Sequence, residues 1–383
     1  MKKILFVINH MDMGGIQRAL VELLKQIGSM YDISLMVIKP DGVLMNELPA
    51  TVKVLRASDM LLASEQSLSA CKNSTVKVIK ALFSAWSRLF SRRIPAYITA
   101  RFFQRNIGDY DAAISFTQPV ASRLYFNLSN EVVLYSCTAR KKITFVHCDF
   151  LSYGGNDACN RSMYLRFDQI AAVSDSVGEK VIKAIPEVCN KLVTVYNCHD
   201  EAMIKCLAED NSVTYNEKYS VVTVARLSAE KGIERCLGIF AKLRRDGVDI
   251  RWHIVGDGPS RAIIEEKIAE YGAEDAIVLH GMQVNPYRYM KNADLLFLPS
   301  YHEAAPMVFG EAEILKIPVL TTNTTSAMEL VQNRECGWVC EQGADAIEDA
   351  LRQVIAAFEQ GNKPVFSKQS INEIAIKSFG RMI

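Results

Sequence analysis

The chain has 383 residues, more than one hydrophobic core usually organises, so we expect two domains. Hydrophobic residues make up 49% and charged residues 23%, which is typical of a folded globular protein and excludes a disordered one. The 44 Lys and Arg residues nearly balance the 43 Asp and Glu residues, leaving a net charge of +1. A general nucleic-acid-binding protein would carry a basic excess, so no nucleic-acid partner is expected.

The N-terminus and the cysteines both favour the cytoplasm. The apolar run Ile4–Ile8 stops at Asn9, short of the ~7–15 residues of a signal-peptide core, and predicts a first buried strand. No stretch approaches the ~18 apolar residues of a membrane-spanning helix. The ten cysteines include no C-x-x-C pair, which is typical of reduced core residues and provides no zinc-site spacing.

Short apolar runs bounded by Gly, Pro, Asp or Ser alternate with amphipathic helical segments, which predicts open parallel sheets with helices on both faces. The predicted strands are, in chain order, Ile4–Ile8, Ile33–Ile38, Val52–Leu55, Ala112–Phe116, Ile143–Val146, Ile170–Val173, Leu192–Val195, Val221–Ala225, Trp252–Val255, Ile277–Leu279, Leu295–Leu298, Val319–Thr321 and Trp338–Val339.

The series of strands restarts at Val221, after a polar segment without periodicity. We therefore predict two doubly wound Rossmann-like domains, residues 1–196 and 219–366, joined by a linker at 197–218. Residues 367–383 are weakly helical and are expected to pack back on the first domain.

Residues 66–108 carry eight Lys or Arg residues and no Asp or Glu. One helical face there is apolar, with Ile79, Leu82, Phe83, Trp86, Leu89 and Phe90, and the other is polar, with Lys77, Lys80, Ser84, Arg88 and Ser91. A basic amphipathic helix with Trp and Phe suits an anionic membrane surface, which residues 72–105 could bind. A core-facing helix with a solvated basic side fits the pattern equally well.

The most informative motif runs from Pro299 to Ala312, directly after the predicted strand Leu295–Leu298. Ligands bind at the carboxyl ends of strands in open α/β sheets. Pro306 is expected at the first helical position, which leaves the amides of Met307 and Val308 facing an anion. Glu303 and Glu311, eight residues apart, can accept hydrogen bonds from paired sugar hydroxyls.

Cations and glycines follow several other strands. Arg226 and Lys231 follow the first strand of the second half and can converge on a diphosphate, although two solvated surface cations are the alternative. Gly14 and Gly15 allow a phosphate or a sugar to approach the backbone, or form a plain tight turn.

His147 ends a predicted strand and could serve structure or function. Gly256 lies in the Gly-Asp-Gly-Pro sequence after the strand Trp252–Val255 and predicts a structural turn. The D-x-D sequence at Asp109 precedes its strand, at the wrong end for a ligand, so no metal site is expected.

These clusters, in this order, resemble the family 4 retaining glycosyltransferases of GT-B fold, which place a donor and acceptor cleft between two Rossmann-like domains. The shared landmarks are Gly14-Gly15, His147, Asn197, Arg226, Lys231, Gly256-Asp257-Gly258, Glu303, Glu311 and Pro318-Val319. The resemblance is most specific from Val221 to about Trp338. The chain departs from the usual pattern at Ala304, Cys198 and Lys316, where glycine is common.

The resemblance implies a role for each residue. Arg226 and Lys231 would bind the donor diphosphate in place of a metal, with no other cofactor, and Glu303 would hold hydroxyls of the sugar. His147 would lie beside the transferred sugar. The remaining donor-binding residues would be Glu311 at the ribose, the backbone near Met282 at the base, Gly14 and Gly15 at the phosphates, and Gly256, Met307 and Val308.

The expected function is transfer of a hexose from a nucleotide sugar, UDP-linked rather than GDP-linked, to a glycan or polyprenyl-diphosphate-linked acceptor. The setting would be surface polysaccharide synthesis in the bacterial cytoplasm, with peripheral association at the inner face of the membrane. Two alternatives remain open: a nucleotide-sugar 2-epimerase of the same fold, in which carboxylates move protons at C2, and a non-catalytic partner subunit.

Overall fold

The computed structural model describes residues 1–367 and 369–383, which form two compact units. The first unit comprises Met1–His199 and Ile371–Ile383, and the second comprises Asp200–Ser370. Each unit is built on one sheet of parallel strands. This confirms the predicted α/β architecture with two Rossmann-like sheets, and all thirteen predicted strands are present.

The first sheet has seven strands, and its central strands are long apolar runs. In Ile4–Ile8 every side chain is buried, because helices cover both faces of a central parallel strand. The strands are β1 (Lys3–His10), β2 (Asp32–Lys39), β3 (Lys53–Arg56), β4 (Asp109–Ser115), β5 (Thr138–Val146), β6 (Gln169–Ala172) and β7 (Leu192–Thr194). Their order across the sheet is β3-β2-β1-β4-β5-β6-β7.

Helices connect these strands, and most begin at a side chain that caps the first turn. Asn73, Asp157 and Ser174, for example, accept hydrogen bonds from amides two or three residues later. The helices are α1 (Gly15–Ile27), α2 (Asp59–Ser64), α3 (Ser74–Leu89), α4 (Arg93–Ile98), α5 (Ser129–Tyr135), α6 (Ala158–Tyr164) and α7 (Asp175–Ala184).

The second unit repeats the same plan with six strands. Its core includes Phe240, Trp252 and Phe297: the Phe240 ring stacks on Trp252, and the Phe297 ring contacts both at a tilt. The helices are α8 (Glu201–Ala208), α9 (Leu237–Arg245), α10 (Arg261–Tyr271), α11 (Tyr287–Lys291), α12 (Met307–Leu315) and α13 (Ala344–Glu359). The strands are β8 (Tyr219–Val224), β9 (Ile250–Val255), β10 (Ile277–Gly281), β11 (Leu295–Leu298), β12 (Val319–Thr322) and β13 (Gly337–Cys340), in the order β10-β9-β8-β11-β12-β13.

The segment expected as a linker, residues 197–218, differs from that expectation. It contains helix α8, and from Asp200 onward it belongs to the second unit. Asp200 caps the helix by accepting from the Met203 amide, a local signal hidden in a polar stretch.

The last helix, α14 (Ile371–Met382), belongs to the first unit. Phe379 stacks on Phe6 of β1 with ring centroids 6.1 Å apart, and Asn372 exchanges two hydrogen bonds with the backbone of His199. Within residues 1–367 and 369–383, no helix is both long enough and apolar enough to cross a bilayer.

Candidate functional site

In the second unit, the loops after β8 and β11 lie side by side because these strands are neighbours in the sheet. The Tyr301 amide donates to the Glu230 carbonyl over 2.8 Å and ties the two loops together. Lys231 and Glu303 therefore meet, with 2.6 Å between Nζ and Oε1. The Ser300 hydroxyl donates to the same Glu303 oxygen over 2.7 Å. Two residues that the sequence assigned to one site thus form an ion pair at the carboxyl ends of adjacent strands.

Arg226 lies in the same cluster of charges. The pKa of Glu230 is lowered by the hydrogen bond from the Ser228 hydroxyl, at 2.5 Å, and by the positive charges of Lys231 and Arg226. Arg226 is exposed, whereas Lys231 is partly buried. The loop after β8 therefore presents two cations, one already held by a carboxylate and one facing solvent.

Helix α12 begins one residue later than predicted. Pro306 has extended backbone angles (φ −65°, ψ 130°) and occupies the N-cap, so Met307 is the first helical residue. The amides of Met307 and Val308 lie in the first turn, which has no preceding carbonyls to bond. Glu311 lies about one turn further along and accepts a hydrogen bond from the Tyr287 hydroxyl at 3.4 Å.

The loop after β9 packs directly on the loop after β8. A Cβ on Gly256 would lie 1.9 Å from the Ala225 carbonyl oxygen, and one on Gly258 would lie 2.3 Å from that of Leu227. The Leu227 amide also donates to the Asp257 carbonyl over 3.0 Å. These glycines place one loop against the backbone that leads to Arg226.

Met282 follows β10 on an open loop. Its side chain is 73% exposed, and the preceding Gly281 has φ +66°. The Gly256 amide donates to the Gly281 carbonyl over 2.8 Å, so this loop adjoins the one after β9. The structure therefore places the backbone near Met282 next to the glycine loop rather than within a closed pocket.

Sequence reasoning missed Arg235, which fixes the loop that leads to Glu303. Its guanidinium donates to the Pro299 carbonyl over 2.6 Å and to Gln342, and it lies 3.9 Å from the centroid of the Tyr301 ring. Nothing local marks this arginine, because Gln342 is 107 residues away.

The sequence also did not predict a buried row of three polar side chains in contact with one another. His253 Nε2 lies 2.6 Å from a Glu217 carboxylate oxygen, and His253 Nδ1 lies 3.0 Å from His280 Nε2. Burial lowers the pKa of His280 to about 4, with a contribution from His253. The two histidines at strand ends were visible in the sequence, but Glu217, the partner of His253, lay in a segment without any pattern.

In the first unit, Gly14 and Gly15 open α1. Gly14 is the N-cap with extended angles, and a Cβ there would meet only the flexible end of Gln17. A Cβ added at Gly15 would have no atom within 4 Å. Packing within the protein therefore does not require glycine at Gly15.

His147 follows β5, and its ring packs against those of Phe116 and Phe145 at centroid distances of 4.7 and 5.6 Å. Burial lowers its pKa to about 3, against the opposing effect of a hydrogen bond to the Phe116 backbone. Its Nε2 is buried and has no hydrogen-bond partner. Burial therefore favours the neutral form of this imidazole.

A cavity of about 500 Å³ opens near this edge of the first sheet. Its walls combine apolar side chains with side chains that carry amide, imidazole or hydroxyl groups. The Tyr153 hydroxyl and the Asn9 Oδ1 are both buried without a partner. The lining residues are Asn9, His10, Ile16, Gln17, Thr117, Gln118, Pro119, Val120, Ala121, Leu124, Phe126, Asn127, Tyr153 and Gly154.

Over the part of the chain that the structure describes, no group of three or more His, Cys, Asp or Glu side chains is arranged to hold a metal ion. Asp109 and Asp111 lie at the amino end of β4, where Asp111 accepts from the Lys3 amide over 2.9 Å.

In residues 66–108, the exposed and buried side chains differ from the two faces predicted for the helix. Ile79 and Phe83 pack on the core of the first unit, whereas Leu82 and Trp86 are 64% and 44% exposed. The predicted polar face is also wrong at Lys80, which is buried and donates to the Gln66 carbonyl.

Arg92 is buried as well and forms an ion pair with Glu131, with 3.2 Å between Nε and Oε1. An acidic partner 39 positions away, outside the acid-free segment, is not visible in a local pattern. The cations that remain exposed are Lys72, Lys77, Arg88, Arg93, Arg101 and Arg105.

Two Rossmann-like units of parallel strands define the GT-B fold, and solved GT-B proteins share it along the whole chain. Residues 208–364 match the family model of the glycosyl transferases group 1. This match confirms the resemblance predicted from the sequence and is consistent with family 4.

Curated relatives cover part of the chain. This chain is 26% identical over 214 residues to the N-acetyl-alpha-D-glucosaminyl L-malate synthase of Bacillus anthracis. The aligned part covers 53% of this chain and 55% of that protein. It is 25% identical over 220 residues to the capsular polysaccharide biosynthesis glycosyltransferase CapM of Staphylococcus aureus, covering 52% and 57%. The chain spans between 36% and 67% of the length of the curated relatives it matches.

Among solved structures, HepE of Anabaena in complex with UDP-glucose has a TM-score of 0.66 at 18% identity, covering 99% of this chain and 96% of that one. The lipopolysaccharide biosynthesis glycosyltransferase WaaG has a TM-score of 0.63 at 14% identity, covering 99% of each chain. At these identities the likeness establishes the fold.

Proposed function

We propose that this chain is a metal-independent retaining glycosyltransferase that moves a hexose from a UDP-sugar to a hydroxyl of a glycan acceptor. The acceptor is lipid-linked, on a polyprenyl diphosphate or a similar carrier, in the synthesis of a capsule or O-antigen. The Lys231–Glu303 pair beside Arg226, within the part matched to the glycosyl transferases group 1, carries the proposal. CapM among the relatives supports the polysaccharide setting, and the UDP-glucose complex of HepE supports the UDP donor.

In the proposed reaction the bond between the sugar C1 and the diphosphate breaks, and negative charge builds on the diphosphate oxygens. Arg226, Lys231 and the first-turn amides of α12 stabilise that charge. Glu303 holds Lys231 before any donor binds, so the cation needs little reorganisation. The acceptor hydroxyl attacks C1 from the face that the diphosphate leaves and gives its proton to a diphosphate oxygen, so the anomeric configuration is retained.

The other predicted residues have supporting roles. Glu311 accepts the ribose hydroxyls, and the backbone near Met282 contacts the base. Gly256 keeps the loop beneath the donor close-packed, and Gly15 leaves space for a phosphate. In the first unit, His147 lies beside the transferred sugar, and the lowered pKa of its buried imidazole keeps the ring neutral there.

The lipid-linked acceptor is supported by the exposed side of α3 and α4. Val78, Leu82, Leu89, Phe90 and Ile94 are each more than half exposed, and six exposed cations flank them. Exposed apolar side chains within a basic field suit the boundary of an anionic bilayer. We propose that this surface, defined by residues 72–105 without the buried Lys80 and Arg92, associates peripherally with the cytoplasmic face of the membrane.

The donor site is tested by calorimetric titration of the whole chain with UDP and with GDP, each with and without Mg²⁺. We expect UDP to bind independently of Mg²⁺ and more tightly than GDP. Glu311→Ala should weaken UDP binding by at least about tenfold, because it removes charge-assisted hydrogen bonds. Glu266→Ala, an exposed acid on α10, is the matched control and should bind as wild type does. Equal binding by Glu311→Ala and the control would contradict the assigned site.

A further inference from the structure

The end of β10 contains an irregularity without a role in the scheme above. Leu279 and Gly281 lie opposite consecutive residues of β9, so His280 between them is an extra residue that bulges from the ladder. A bulge turns a side chain away from its regular direction, and bulges are frequent beside active sites. The loop that follows the bulge carries Met282, so the conformation of His280 bears directly on that loop.

The side chain of His280 ends the buried row that begins at Glu217, just before β8. Glu217 and His253 have side chains that are only 5% and 6% exposed. A carboxylate can only accept, so His253 donates to Glu217 from Nε2 and accepts from His280 at Nδ1. Burial favours the neutral form of both rings by lowering the pKa of each histidine. Glu217 therefore sets the direction of both hydrogen bonds and the orientation of both rings.

Two tyrosines cover this row. The Tyr215 ring packs on His253 with centroids 4.2 Å apart, and the Tyr289 ring packs on His280 at 4.6 Å. The Tyr215 hydroxyl donates to the Tyr289 carbonyl over 3.0 Å and links the two covers. The imidazole of His280 is therefore held by a hydrogen bond at one nitrogen and by an aromatic ring against its face.

A second set of contacts holds the same loop from its other side. Gln283 Nε2 donates to the His280 carbonyl over 2.7 Å, and Gln283 Oε1 accepts from Arg288 over 3.1 Å. Arg288 also donates to Asp210 over 3.2 Å and to the Ser212 hydroxyl over 2.9 Å. Both sets of contacts end in the segment between α8 and β8, which thus holds the loop after β10 from two sides.

We propose that Glu217 and Arg288 are positioning residues for the base of the nucleotide donor. Glu217 acts through the two histidines and Arg288 acts through Gln283, and together they fix the backbone of the loop before the donor binds. This inference rests on the proposed function, in which that backbone contacts the base. A loop that is already ordered loses less entropy on binding, and its fixed amides and carbonyls fit one base better than another. The network therefore contributes to the preference for UDP over GDP.

The test is calorimetric titration of the full chain with UDP and with GDP, and competition of inorganic pyrophosphate, which has no base, against UDP. Glu217→Ala should raise the dissociation constant for UDP by about tenfold and narrow the preference over GDP. Pyrophosphate should bind as before, because Arg226 and Lys231 keep their places. Glu217→Gln should restore most of the UDP affinity, since its amide oxygen can accept from His253. Glu274→Ala, an exposed acid before β10, is the matched control.

Arg288→Ala releases the loop from its other side and should act as Glu217→Ala does. Arg288 lies outside the buried row, so this variant carries the test if Glu217→Ala fails to fold by circular dichroism. Its matched control is Arg245→Ala, an exposed cation at the end of α9. If a folded variant binds UDP as its control does, or loses pyrophosphate binding to the same extent as UDP binding, the positioning role is overturned. Absence of UDP binding in wild type would instead contradict the proposed function.

Discussion

Gly256 shows how packing rather than ligand chemistry can require a glycine at a candidate site. It has φ +142°, and the backbone of Ala225 occupies the space where a side chain would begin. The two loops can lie in contact only because neither Gly256 nor Gly258 carries a Cβ. The position of Arg226 therefore depends on residues that carry no charge.

Gly256→Ala should lower the free energy of unfolding by about 3 kcal/mol, from backbone strain and from collision with a carbonyl that cannot move aside. Gly343→Ala is the control, because Gly343 has φ −70° and nothing lies within 4 Å of its added Cβ. Urea denaturation, monitored by tryptophan fluorescence, measures the free energy of unfolding of both variants. Equal stability of the two variants would contradict the packing account.

Residues of the candidate site differ in how far local sequence could reveal them. Glu303, Met307 and Glu311 follow from one continuous pattern of strand, loop, proline and helix. Arg235 could not be found in that way, because its partner Gln342 lies 107 residues away and is reached only through the fold. Lys316, noted as a departure from a common glycine, ends α12 with φ +59°, which explains why glycine suits that position.

Helix α3 shows why periodicity alone could not decide between its two interpretations. The sequence predicted one broad apolar face, but the core of the first unit receives only its inner part, including Ile79 and Phe83. Leu82 and Leu89 stay exposed. The helix therefore packs on the core and also leaves an apolar surface open. The neighbouring elements decide which part of a broad apolar face is covered. The sequence of the helix alone does not contain that information.

Arg88→Glu combined with Arg93→Glu should weaken binding to phosphatidylglycerol vesicles by at least about tenfold, because each basic residue near an anionic surface contributes about 1 kcal/mol. Both side chains are exposed, so the fold should persist by circular dichroism. Arg92 is left intact because reversing its charge would place two carboxylates together in the core.

The matched control reverses Arg140 and Lys183, two exposed cations elsewhere in the first unit, and changes the net charge equally. Wild type should not bind vesicles of phosphatidylcholine alone. If the Arg88 and Arg93 variant sediments with anionic vesicles as well as the control does, the membrane surface is elsewhere.

The strands were predictable because buried parallel strands are continuous apolar runs, and all thirteen were found in place. Their ends were less predictable. β4 begins at Asp109 and β5 at Thr138, each several residues before its apolar run. Polar residues can extend a strand at its amino end, where hydrogen bonds to the neighbouring strand continue beyond the buried core.

At the scale of the whole molecule, the chain builds two units of one design and assigns them different chemistry. The second unit carries the cations, the carboxylates and the start of α12, all at the carboxyl ends of its strands. The first unit carries the mixed cavity, the neutral histidine and the exposed basic surface. This division suits a donor that is mostly phosphate and nucleoside, and an acceptor that combines sugar with lipid.

Sugar transfer with retention, driven by Arg226 and Lys231, is tested most directly by one measurement. The chain is incubated in deuterated water with ¹³C1-labelled UDP-glucose and UDP-galactose, without acceptor, and the slowly released hexose is followed by NMR. We predict that the α anomer appears first, with no deuterium at C2, and that Arg226→Ala combined with Lys231→Ala slows release by at least about a hundredfold. Release of the β anomer first, deuterium at C2, or undiminished release by the double variant would contradict the account.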